Sequence, residues 1–233
     1  MFKKHKSKIK GNSNSIRKLI TLQDPKSPIT EQFRILRTNI SFSFPDKQLR
    51  TLLVTSSVQQ EGKSTISANL AVVFSQTNQR VLFIDADLRK PTVHNTFNLK
   101  NAVGLSTLLT SQSQIKDSIQ KTKLENLDIL TSGPIPPNPA ELLESDSFSM
   151  LIEELQKVYH LILFDSPPIL SVTDSQIISS KVDGSLLVVD KQDNNKNNVK
   201  NAKELITVSN NAKLIGIIFN NDEYNAEKYY VYE

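Results

Sequence analysis

A chain of 233 residues with a hydrophobic fraction of 38% and a charged fraction of 22% suffices for one well-buried α/β domain with short tails. It has no cysteine, which excludes a disulfide framework and thiol catalysis, and no apolar run near the ~20 residues that cross a bilayer. The net charge of +4 is modest, and much of it sits in five lysines among the first ten residues, MFKKHKSKIK, which lack the apolar core of a signal peptide.

Residues 1–26 are polar and lysine-rich and read as a basic, mobile tail, suited to an anionic lipid surface or an acidic partner. Nothing pairs the lysine run with a recognition module or stacking aromatics, so no nucleic-acid partner is expected. A helix is predicted over 27–42, where Pro28 sits near the start and Ile29, Phe33, Leu36 and Ile40 fall at helical spacing. From there to residue 220 short apolar runs alternate with helical patterns. Strands are predicted at 52–55, 81–85, 127–131, 161–165, 185–190 and 214–219, and helices at 64–76, 115–121, 140–143, 148–158, 174–180 and 199–209. Runs such as LILF and LLVV suit strands buried on both faces. Their alternation with helices predicts a mostly parallel sheet covered on both sides. Ligands in such sheets bind beyond the carboxyl ends of the strands, so the chemistry is sought in the loops that follow them.

The first of these loops is SVQQEGKS, residues 57–64, between a strand and a helix. It reads as a phosphate-binding loop. Gly62 lets the backbone close on phosphates, Lys63 neutralises the outer ones and Ser64 supplies a hydroxyl for magnesium. Ser57 stands where the usual first glycine would be. The candidate ATP contacts are Ser57, Gln60, Glu61, Gly62, Lys63, Ser64 and Thr65. Two further strand tips are acidic: VLFI runs into DADLRKP, carrying Asp85, Asp87 and Arg89, and LILF runs into DSPP, carrying Asp165. Magnesium takes one or two carboxylates with phosphate oxygens and water, which Ser64, Asp87 and Asp165 can meet. Asp85 is then free to accept a proton from an attacking hydroxyl, and Arg89 either steadies transition-state charge or pairs with these carboxylates. The sequence does not fix which aspartate does which job. His5, His94 and His160 form no ligand spacing.

Four of the five tyrosines, Tyr224, Tyr229, Tyr230 and Tyr232, lie in the last ten residues. The alternation of Tyr230-Val231-Tyr232 would suit an edge strand. Joined to an ATP site, the polar segment 221–233 reads instead as a tail of phosphoryl acceptors.

Together these residues resemble the bacterial tyrosine kinases of the capsule and exopolysaccharide type, the cytoplasmic CpsD/CapB-like proteins of Gram-positive bacteria. SVQQEGKST resembles that family's Walker A loop, FIDADLRKP its Walker A′ motif and LILFDSPP its Walker B. TSGPIPPNPAELL and the tyrosine cluster add to the match, which spans nearly the whole chain from Ile29 onward. The resemblance implies a P-loop NTPase fold of the deviant, MinD-like branch, and ATP- and magnesium-dependent autophosphorylation of tail tyrosines in trans. It implies a ring-shaped octamer, with Glu31, Arg34 and Arg37 of EQFRILR between subunits. It also implies a transmembrane chain-length regulator or adaptor that activates the kinase and recruits it to the inner face of the membrane, and a phosphatase to recycle the tail. Two alternatives are a non-catalytic nucleotide switch and a partitioning-type ATPase. The latter carries a signature lysine where this chain has Val58. Gln59 and Gln60 depart from the family's Pro and Gly, and a side chain at position 60 is expected to restrict the loop and lower activity.

Overall fold

The computed structural model describes residues 19–45, 48–192, 195–208 and 212–222. Seven strands form one sheet in the order β3-β4-β2-β5-β1-β6-β7. The strands are β1 Thr51–Ser56, β2 Val81–Asp85, β3 Ile119–Lys121, β4 Leu127–Leu130, β5 Leu161–Asp165, β6 Gly184–Asp190 and β7 Leu214–Asn220. All pair in parallel except β3, which runs antiparallel to β4 at one edge.

Alternate side chains of the strands point to opposite faces. Leu52, Val54, Val81, Phe83, Leu161 and Leu163 pack on helix α3 (Lys63–Ser75) and, beyond it, on α1 (Ile20–Gln23) and α2 (Pro28–Phe42). Helix α3 is apolar nearly all round because it lies between the sheet and these two helices. Leu53, Leu82, Ile84, Ile162 and Phe164 face the other way. They meet α7 (Pro139–Glu144), α8 (Asp146–Gln156) and α9 (Asp174–Ser179), and farther along the sheet Leu187 and Val189 lie under α10 (Lys196–Thr207). Three short helices, α4 (Val93–Phe97), α5 (Leu105–Leu109) and α6 (Ile115–Ser118), complete the connections.

The six predicted strands are all present, and β3 is a seventh. The segment 115–121, expected to be one helix, is helical only through Ser118; Ile119–Lys121 pair with β4. Residues 19–26, assigned by the sequence to the tail, are part of the folded body. Thr21 is fully buried and donates from its backbone N (3.1 Å) and hydroxyl (2.9 Å) to Asn69 Oδ1 on α3. Helix α2 starts as its sequence directs: the Ser27 hydroxyl accepts from Thr30 N, and Pro28 occupies the first turn. Phe33 and Ile40 are buried, whereas Ile29 is exposed. Arg34 pairs with Glu31 at 2.9 Å, while Arg37 turns inward and donates to Val73 O of α3 at 2.8 Å. Tyr159, the one tyrosine before the tail, is buried with its hydroxyl donating to Asp128 Oδ2 at 2.8 Å; burial and that carboxylate raise its pKa. It is thereby removed as an acceptor. The four tail tyrosines lie outside the described residues.

Candidate active site

Strand β1 is buried along its whole length and delivers the chain into residues 57–62. Gly62 ends the loop at φ 89°, a left-handed conformation open to glycine without strain, and α3 begins at Lys63. No side chain caps this helix, so its first N–H groups point at the loop mouth, where an anion is stabilised. Gln60 is also left-handed, at φ 69°, and there a side chain carries a cost.

Two of the candidate ATP contacts turn their side chains away from the cleft. The carboxylate of Glu61 is folded under the loop, where it accepts from the Ser57 hydroxyl at 2.8 Å and from Val58 N at 2.8 Å. Glu61 and Ser57 are almost fully buried and neither lines the cleft. Their side chains brace the loop. A cleft of about 550 Å³ opens above it, lined on one side by Gln60, Gly62, Lys63, Ser64 and Thr65 and on the other by Asp87, Arg89, Lys90 and the Pro167-Pro168 turn. That volume is within the ordinary range for a small-molecule site.

The structure brings the three aspartates to this one place because β2 and β5 are neighbours in register, with Asp85 opposite Asp165. Lys63 Nζ lies 3.3 Å from Asp87 Oδ2, 3.7 Å from Asp165 Oδ1 and 3.0 Å from Ser64 Oγ. Asp87 Oδ1 accepts from Lys90 N at 2.9 Å, and Asp165 Oδ1 accepts from the Ser67 hydroxyl at 3.1 Å. Asp85 Oδ2 accepts from Thr92 N and Val93 N, both at 2.9 Å. Asp85 and Asp165 are fully buried, and each keeps one oxygen, Oδ1 and Oδ2 respectively, without a protein partner. Burial first, then the charge of Asp165, pushes the Asp85 carboxyl up to about 7, against the two backbone N–H groups that favour its ionised form.

Arg89 does not join these carboxylates. Its guanidinium makes a fork with Asp174, Nε to Oδ2 and Nη2 to Oδ1, both 2.9 Å. Asp174 is fully buried in the first turn of α9 and sequence reasoning missed it. Of the two roles expected for Arg89, pairing is the one observed, with a different partner.

The donor set fits a magnesium nucleotide. Two buried carboxylate oxygens are unpaired, a serine hydroxyl faces the cleft, and a lysine holds the acidic charge in check. Among the described residues no group of three or more His, Cys, Asp or Glu could hold a metal by itself. Phosphate oxygens and water would have to complete a magnesium shell here.

Residues 56–214 match the family described as an AAA domain. The Bacillus subtilis tyrosine-protein kinase YwqD is 45% identical over 216 residues, covering 93% of this chain and 91% of its own length. The putative tyrosine-protein kinase CapB of Staphylococcus aureus is 42% identical, covering 94% and 96%. The chain belongs to the bacterial tyrosine-protein kinase family. Two solved structures agree with the kinase fold. The kinase domain of the Escherichia coli tyrosine kinase ETK superposes with a TM-score of 0.84 at 33% identity over 93% of this chain and 84% of that one. The chimerical protein CapA2B2 superposes at 0.85 with 46% identity over 88% and 90%. The Pyrococcus furiosus cell division ATPase MinD, at 0.62 and 22% identity, covers 73% and 71% and shares the fold alone. The kinase is thus a P-loop NTPase in architecture, and none of its described helices is long and apolar enough to cross a membrane.

Proposed function

We propose that this kinase transfers the terminal phosphoryl group of magnesium-bound ATP to Tyr224, Tyr229, Tyr230 and Tyr232 of a neighbouring copy's tail. The observation that carries this reading is the convergence of Lys63, Ser64, Asp87 and Asp165 at the mouth of a loop whose helix N-terminus is uncapped. The loop amides from Gln60 to Thr65 cradle the phosphates, and Lys63 leaves its aspartates to neutralise the outer ones. Ser64, Asp87 and Asp165 would hold magnesium, directly or through water, and the ion would supply positive charge to the phosphate oxygens. Asp85, which keeps Oδ1 without a protein partner beside Asp165, takes the phenol proton. Arg89 holds the loop after β2 against α9 and acts on the reaction only through that loop.

The acceptor tail leaves the described fold at Asp222, two residues beyond the tip of β7 and on the same sheet edge as the cleft. Several phosphates of about −1.5 to −2 charges each would repel the tail from an acidic site, releasing it until a phosphatase resets it. In keeping with the family resemblance, the kinase works in a ring of copies with Glu31, Arg34 and Arg37 on the helix at the contacts. A transmembrane co-polymerase or adaptor recruits it to the inner face of the membrane, and the phosphorylation state of the tail governs polysaccharide polymerisation and export.

Full-length protein incubated with ATP and magnesium should acquire phosphate within residues 223–233, read by mass spectrometry, and Lys63→Met should abolish it. Mixing Lys63→Met protein with a catalytically intact copy whose four tail tyrosines are Phe tests direction: phosphate must appear on the Lys63→Met chain. Nucleotide binding without phosphotyrosine, even with the partner's cytoplasmic peptide present, would instead identify a nucleotide switch.

A further inference from the structure

The phosphate loop is gripped from outside by a residue 159 positions away in the chain. Asn220, the last residue of β7, donates from Nδ2 to the carbonyl oxygen of Glu61 at 3.0 Å. Its amide packs so tightly on Gly62 that a Cβ there would come within 2.2 Å of Nδ2. The carboxylate of Glu61 is held separately by the Ser57 hydroxyl and Val58 N and, at 3.4 Å, by the backbone N of Asp190 at the end of β6. Residue 61 is therefore held at both its main chain and its side chain, by the tips of the two strands on the far side of β1 from the aspartates. Asn220 is itself anchored: Lys191 N donates to its carbonyl at 2.9 Å, and Asn221 Nδ2 donates to Asp190 Oδ2 at 2.8 Å.

The C=O of Glu61 and the N–H of Gly62 belong to one planar peptide unit and point in opposite directions. Fixing the carbonyl fixes the N–H. Gly62 lines the cleft, and glycine is the residue at which a loop turns most freely. We infer that Asn220 is a positioning residue for phosphoryl transfer: by holding the Glu61 carbonyl it keeps the Gly62 N–H aimed at the nucleotide's phosphates. The inference rests on the nucleotide-binding reading above and adds to it a role for the root of the acceptor tail. Nothing in the sequence marks Asn220, because its partner is a main-chain oxygen.

Asn220→Asp tests this, since it keeps size and packing but sets an acceptor against the Glu61 carbonyl. Titration of the full-length protein with magnesium and a fluorescent ADP should give an affinity about tenfold weaker in Asn220→Asp and about fivefold weaker in Asn220→Ala, as expected for one hydrogen bond lost or reversed. Turnover at saturating ATP should fall less. Affinity within twofold of the parent in Asn220→Asp overturns the inference, as does a loss no larger than that caused by an equally destabilising substitution in the core. If the parent binds no nucleotide, the functional reading fails. The clamp is still read by hydrogen exchange of residues 58–64 without ligand: exchange confined to that loop should quicken in Asn220→Asp, and unchanged exchange overturns the role.

Discussion

The ammonium of Lys63 lies 3.3 Å from the carboxylate of Asp87, so the residue proposed to meet phosphate is engaged by protein acids. The same nitrogen is 3.7 Å from Asp165. Lysine thus holds together a cluster that would otherwise repel itself, and a triphosphate must compete for it.

Replacing Lys63 by Met removes the cation that lies 3.3 Å from one of these acids and 3.7 Å from the other. Phosphotyrosine formation should fall at least about a hundredfold, from loss of charge stabilisation worth about 2.7 kcal/mol or more. The unliganded protein should also lose about 1–3 kcal/mol of stability, because Asp87 and Asp165 are left uncompensated. A blot for phosphotyrosine and a urea titration read the two effects. Undiminished stability would mean that the acids protonate or take up solvent cations at little cost.

Asp85 gives the fold a pH dependence. Its carboxyl titrates near 7 in the folded chain, against an unperturbed value of 3.8. Below about pH 4 it is protonated in both states. Between about pH 4 and 7 the unfolded chain is ionised while the folded one stays protonated, so this residue's contribution to stability is lost as pH rises to its folded value, at no more than about 1.4 kcal/mol per pH unit. Chemical denaturation of the metal-free protein between pH 4.5 and about 7.5 should show declining stability, and Asp85→Asn should flatten the slope. An equal slope in that variant would place the dependence elsewhere.

Gln60 sits at φ 69°, where an L-residue costs about 1–2 kcal/mol. Gln60→Gly removes the cost but gives the unfolded chain about 0.4–1 kcal/mol of entropy. A net gain of roughly 0.5–1 kcal/mol is expected, seen as a midpoint about 2 °C higher by calorimetry. Activity should rise too if the side chain restrains the loop during turnover.

The fork between Arg89 and Asp174 joins the loop after β2 to α9. Arg89 is 40% exposed at its side chain and Asp174 is fully buried, so the pair is neither a surface nor a core ion pair. Arg89→Ala should cost about 1–3 kcal/mol, mostly from leaving the buried carboxylate without its partner. Adding Asp174→Ala should cost less than the sum of the single changes. A double-mutant cycle by urea unfolding measures the coupling, and strict additivity would dismiss the fork as energetically idle.

The sheet was legible in the sequence because its strands are buried on both faces and read as unbroken apolar runs such as LILF. The site followed, since parallel strands deliver their tips to one edge, which alone brings Lys63, Asp87 and Asp165 together. The misreadings share a cause. Ile115 and Ile119 are spaced for a helix, yet Ile119–Lys121 are held as a strand by β4, whose edge only the fold supplies. Short helices such as α1 and α4 have too few turns to leave a period, and Thr21 is fixed by Asn69, 48 residues away. Asp174 offered no signal, because its partner is 85 residues distant. Glu61 was placed in the right loop, but where its side chain turns was not legible. Its position is local, whereas the direction its carboxylate takes depends on Ser57 and Asp190.

Strand β7, which carries Asn220, is the last in the sheet, and its residues are only partly covered. Outer strands of this kind open by local fluctuation at lower free energy than the centre. Mild heat or denaturant should therefore detach β7 and slacken the nucleotide pocket while the buried strands β1, β2 and β5 remain intact, so that the enzyme goes silent before it unfolds.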